Sequence, residues 1–183
     1  MPPKHFDASV GITKQGADAG NAFHIAIAGN GEALPVTTHL ARTLSVSAPA
    51  RVTWRFRINL PSLDDPKSGF YPFNLRYGYT ENGIPREGGV RMIIGAPTEN
   101  QLSAFLEGTP PTTVDLDSNL WHEAALIVGQ SIQLLVDGAP CSVVPVPGGA
   151  MPTEIVRIEL GLTAGTILGT YEMLYDDVSV ESL

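Results

Sequence analysis

A chain of 183 residues, 43% apolar and 16% charged, is long enough for one domain with a full core, and it excludes a disordered or collagen-like polymer. The formal charge is −8, from 19 acidic and 11 basic residues, with no basic stripe; this argues against nucleic acid and anionic membrane surfaces as partners. Cys141 is the single cysteine, so no intrachain disulfide forms, and no apolar run approaches a membrane span.

The opening "MPPKHFDASVGITKQGADAG" carries only a weak strand signal in "ASVGIT", so residues 1–21 are expected to be poorly ordered. It also lacks the apolar h-region of a signal peptide. Either the protein is cytoplasmic or this chain belongs to a larger or processed surface or secreted protein; the second is the expectation. "AFHIAIAGN" and "TLSVSAP" alternate as strands do. "HLARTL" between them could pass for a helical turn, but its flanks favour strand or coil.

The strongest strand signal is "ARVTWRFRINL", where Val52, Trp54, Phe56 and Ile58 alternate with Thr53, Arg55, Arg57 and Asn59. "PSLDDPKSG" breaks it. Phe70, Tyr71 and Phe73 then precede a strand "FNLRYGYT", in what reads as a rim loop, with Leu75, Tyr77 and Tyr79 opposite Arg76. "ENGIPREGG" reads as a loop and "VRMIIGAP" as a strand. "QLSAFLEG" places Leu102, Ala104 and Leu106 on one side, and "TPPTTVDLDSN" is a polar, Pro-rich connection.

"WHEAALIVG" sets His122, Ala124, Leu126 and Val128 on an apolar face against Trp121, Glu123, Ala125 and Ile127 on a mixed one. "GQS" is a turn in which Gly129 is free to take positive φ, and "IQLLVDG" returns to a tight Asp137-Gly138 turn. "IVRIELGLT" alternates Val156, Ile158 and Leu160 against Arg157 and Glu159, and "TYEMLYDDVSVES" closes the chain as a strand. No segment sustains helical periodicity. About ten to twelve short strands in one domain, residues 1–183, account for the chain.

The Trp-His start, the apolar strand, the return strand ending in "VDG" and the final "YDDVSV" together resemble the concanavalin A-like lectin/glucanase superfamily, its laminin-G-like branch above all. The resemblance covers residues 22–183. It implies an all-β fold, a jelly-roll β-sandwich of two antiparallel sheets, one convex and one concave, with ligands on the concave sheet or its rim. It also implies that a structural Ca²⁺ is held by the last strand and the N-terminal segment, here Asp176 or Asp177 with Asp7. The bland alternative is that these aspartates satisfy backbone donors near a turn, since a hard cation takes about six to eight oxygens. The glucanase relatives carry an E-x-D-x-x-E strand that is absent here, so no catalytic residues are assigned.

Sugar binding needs aromatic faces and forked polar groups. Phe70 and Tyr71 with Arg76 form the densest aromatic cluster, and Arg55, Arg57 and Arg91 occupy polar faces where bidentate guanidinium groups could hold an acidic sugar. Against this, buried aromatics are the default, and arginines on strands usually meet cross-strand carboxylates. Trp54 reads as core; Trp121 reads equally as platform or packing. His5, His24, His39 and His122 are scattered without metal-ligand spacing. The expected function is a non-catalytic carbohydrate-binding or adhesion module with a glycan or protein partner. The alternatives are a protein-interaction sandwich whose binding face is covered, for instance by "TPPTTVDLDSN", and an unrecognised carbohydrate-active enzyme.

Overall fold

The computed structural model describes residues 7–13, 22–59, 70–98, 101–110, 116–117 and 119–183. Ten strands lie among them. In chain order they are β1 (Asp7–Thr13), β2 (Ala22–Ser47), β3 (Ala50–Asn59), β4 (Phe70–Glu81) and β5 (Ile84–Thr98), then β6 (Gln101–Leu106), β7 (Trp121–Val128), β8 (Ser131–Val136), β9 (Ala139–Pro145) and β10 (Pro152–Ser182). Every pairing is antiparallel.

Two long strands organise the rest. β2 and β10 pair along most of their length, from Glu154 opposite Ser47 to Tyr175 opposite Phe23. The first half of β10 also pairs with β4, and the second half with β3. The ribbon therefore serves two layers. One runs β6-β5-β4-β10-β2; the other runs β9-β8-β7-β3-β10-β2-β1. Register shifts at Ala164/Thr166 and Thr166/Leu168 fall where the ribbon passes between layers, as bulges do where strands bend. At the opposite corner the chain crosses from β2 to β3 through Ala48 and a cis Pro49.

The layers meet through the alternation visible in the sequence. Val52, Trp54, Phe56 and Ile58 are buried, as are Phe73, Leu75 and Tyr77 of β4. The Trp54 and Phe73 rings stack across the core at 4.0 Å and 7°. Far from the ribbon, the edges of β6 and β9 are tied together: the Leu106 N–H donates to Ser142 Oγ (3.1 Å), which also meets Thr109 Oγ1 (3.0 Å). Cys141 is a free, buried thiol.

Several local expectations change. Tyr71 and Phe73 are not in a rim loop; both belong to β4, and the strand begins at Phe70. "ENGIPREGG" is mostly strand. Asn82 and Gly83 take φ of 51° and 76°, a tight hairpin turn that lets Ile84 pair with Glu81 at once. The same chemistry at Asp137 (φ 50°) and Gly138 (φ 77°) joins β8 to β9 as expected, whereas Gly129 does not take positive φ. In β10 a bulge between Ile155 and Arg157 shifts the alternation, so Ile155 is buried with Ile158 and Leu160 in place of Val156.

Candidate functional site

The arginines that seemed to share one surface lie on two. Arg55 and Arg57 project from β3 away from the core; Arg76 and Arg91 project from β4 and β5, outward from the other layer. The sandwich separates them, so no single patch holds all four.

On the β4 side most charged groups are paired; exceptions among the described residues are Arg76 and the buried Nε of Arg157, which lies near a carboxylate but makes no hydrogen bond. Arg91 donates from Nε to Glu107 Oε2 (2.7 Å) and from Nη2 to Glu107 Oε1. Its guanidinium also lies 4.6 Å above the Tyr71 ring. The Glu107 hydrogen bond holds its pKa above the ordinary arginine value. Asn74 donates to Glu159 (2.8 Å), and Arg157 Nε stands 2.8 Å from the same carboxylate. Arg76 is exposed and lies across Gly89, where an added Cβ would come within 3.2 Å of its Cδ. The Phe70 side chain is outside the described residues.

The β3 side is differently furnished. Arg57 stands opposite Trp121 of β7, and Arg55 opposite Glu123. Both guanidinium carbons approach the Trp121 ring, at 5.2 Å for Arg55 and 6.0 Å for Arg57. Beyond Arg57, Asn59 Nδ2 donates to Glu172 Oε2 (3.1 Å), and Glu172 Oε1 lies 3.8 Å from His24 Nε2. The Nε atoms of Arg51 and Arg57 are buried and have no hydrogen-bond partner. A buried donor left unmet is costly.

Sequence reasoning did not single out His24, Asn59 or Glu172. His24 lies on the polar phase of "AFHIAIAGN", and Asn59 continues the phase of Arg55 and Arg57, so both were locally visible. Glu172 was not, because only the β10–β3 register brings it there.

The Trp-His and "VDG" signature has a structural explanation. His122 is 6% exposed on the core side, against the Phe56 ring. Its Nδ1 lies 2.7 Å from Asp137 Oδ2, and its Nε2 lies 3.0 Å from the Asp117 carbonyl. Asp137 Oδ1 also accepts the Glu123 N–H (2.9 Å). The aspartate of the β8–β9 turn therefore clamps the start of β7, and the motif reports fold.

The aspartates proposed for calcium do not gather. Asp176 Oδ1 accepts the Asp177 N–H (2.9 Å), and Asp177 Oδ2 is 3.6 Å from Arg55 Nη1. Asp7 pairs with Ala28, itself opposite Thr170, so the ladder sets its backbone roughly 20 Å from that of Asp176. Its side chain is outside the described residues. Among the described residues no three acidic, histidine or cysteine side chains form a metal-binding group. Of the connection suspected of covering a face, residues 111–115 and 118 lie outside the described residues; Leu116 is buried and its N–H donates to the Leu102 carbonyl, while the Asn119 N–H donates to the Ile58 carbonyl.

No family model and no curated protein matches the chain. Solved structures do. A cellulose-induced protein, Cip1, is 17% identical over 100% of this chain and 89% of its own, with a TM-score of 0.56. A structure from work on endo-acting O-glycanases that initiate mucin breakdown by human gut bacteria is 14% identical over 88% of this chain and 80% of its own (TM-score 0.57). A Bacillus subtilis protein of unknown function with a galectin-like fold is 13% identical over 97% of this chain and 89% of its own (TM-score 0.53). These likenesses define a class by fold: the protein is a lectin-like, jelly-roll β-sandwich.

Proposed function

We propose that this domain is a non-catalytic carbohydrate-binding module and that it binds glycan on the outer face of β3, β7 and β10. Trp121 supplies an aromatic surface, Arg55 and Arg57 supply planar donors, and the Asn59–Glu172–His24 row supplies the mixed donors and acceptors that fork around hydroxyls. The observation that carries the reading is Arg57 Nε, a buried donor without a partner beside an aromatic ring. An oxygen of a glycan, and a carboxylate above all, satisfies it.

Two solved neighbours, one named as cellulose-induced and one from work on enzymes that initiate mucin breakdown, support the carbohydrate part of this reading but not its non-catalytic part. The Trp121-His122 and Asp137-Gly138 pairing favours the laminin-G-like branch, and with it a place in a larger surface or secreted protein. Binding is preferred to catalysis because the acidic glucanase strand is missing from the sequence. It is preferred to a covered interaction face because Leu116, in the described part of the β6–β7 connection, packs into the core.

Calorimetric titration with neutral and acidic oligosaccharides tests the assignment. Saturable binding that is lost in Arg57→Ala and Trp121→Ala supports it. Binding that survives both substitutions, or no binding to any sugar, overturns it.

A further inference from the structure

We propose that the open mouth between the two layers is a second binding site, for a small amphiphile with an apolar chain and a carboxylate head. The mouth holds a cavity of about 550 Å³, within the size range of small-molecule sites. One wall is the inward row of β2: Leu40, Arg42, Leu44 and Val46. The facing wall comes from the second half of β10, including Tyr175 and Val178.

Three observations select the ligand. The lining is mostly aliphatic and aromatic, and it reaches the surface: Leu40 is 52% exposed and Val178 38%. The one buried hydroxyl on the wall is already committed, since Tyr175 Oη shares its proton between the carbonyls of Pro72 (2.7 Å) and Gly161 (2.5 Å). The cavity therefore offers a ring and aliphatic side chains but no free neutral donor there, which suits a hydrocarbon chain.

The charges then fix the head group. Asp176 and Asp177 also line the cavity, but both are turned to Arg55: Asp177 Oδ2 lies 3.6 Å from Arg55 Nη1, and Asp176 stands opposite Arg55 in the ladder. Arg42 breaks an otherwise apolar inward row, and its side chain has no hydrogen bond or ion pair among the described residues. It is the cation left for an incoming carboxylate. Asp177 takes φ of 50°, unusual for a residue with a side chain, within a register shift between Asp176 and Ser179, and this sets Val178 at the rim.

The cavity adjoins the β3 face through the Asp177–Arg55 pair, so Trp121→Ala, which touches only that face, is the control that separates the two assignments. The test titrates the full chain with decanoate, decan-1-ol and decyltrimethylammonium, following heat and melting temperature. Decanoate is expected to bind saturably and most tightly of the three. Arg42→Gln should weaken decanoate about tenfold or more and leave decan-1-ol unchanged. Leu44→Trp, which fills the cavity, should weaken both, and Trp121→Ala should weaken neither. The proposal is overturned if decanoate does not bind saturably, if the cationic amphiphile binds as well, or if Arg42→Gln leaves decanoate affinity intact. Self-association of Arg42→Gln with unchanged decanoate binding would assign Arg42 to guarding the open edge of β2, and would also overturn it.

Discussion

The two outer faces of the sandwich are built from the same residue types with opposite results. Around β4 and β5, Arg91 grips Glu107 and covers Tyr71, while Asn74 and Arg157 converge on Glu159. Charge there meets charge along the ladder, and little is left to offer a ligand beyond Arg76. Around β3 and β7, two guanidinium groups gather at one tryptophan, and two Nε atoms on that strand have no acceptor. Arg157 Nε on the β4 side is unmet as well, so what distinguishes the β3 face is the convergence of two guanidinium groups on one ring, which a count of arginines and aromatics does not reveal.

The largest test strikes what both faces share. Trp54→Ala removes the ring stacked on Phe73 and should cost about 3–5 kcal/mol in urea unfolding, loosening both faces together. Unchanged stability would mean that the layers are held elsewhere.

Next comes Tyr175, whose phenol burial pushes its pKa well above the ordinary 10.0. A folded pKa raised above the unfolded one gives stability that is full below about pH 10 and is lost as pH rises through the folded value. Melting temperature should therefore fall in alkali. Tyr175→Phe should flatten that fall, after a cost of about 1–3 kcal/mol at neutral pH from two carbonyls left unpaired. An alkaline profile identical to wild type would remove Tyr175 as its source.

The comparison itself is sharpened by paired substitutions. Trp121→Ala should lower glycan affinity about tenfold or more, whereas Tyr71→Ala should leave it within about twofold, with a small stability loss. The reverse ranking would move the site to the β4 face. The smallest effect is expected from calcium: adding Ca²⁺ or EDTA should shift the melting temperature by less than about 1 °C, because the aspartates of β10 are turned to Arg55 and to their own backbone. A clear loss of stability in EDTA, restored by Ca²⁺, would reinstate a metal at that end.

Period-two alternation made β3 and β7 legible in the sequence, since a strand with one buried face writes its pattern residue by residue. The Asp137-Gly138 hairpin was equally plain, because its backbone demands those residue types. The Asn82-Gly83 turn carried the same signal but was lost among the polar residues around it. Bulges defeat alternation by one residue, which is why Ile155, not Val156, enters the core. Which arginines share a face was not legible at all. That depends on long-range register, and Glu172 reaches Asn59 across 113 positions of chain. The candidate site was thus partly visible: its β3 residues and His24 of β2 were, and Glu172 of β10 was not.

The long final strand also has a kinetic meaning. β10 is central to both layers, yet it is the last strand of the domain to leave the ribosome. Until it arrives, β3 and β4 have no common neighbour, and β2 offers a 26-residue edge with its main partner still missing. The two layers therefore cannot join until β10 has been made, and they join slowly, because its pairings are so distant along the chain.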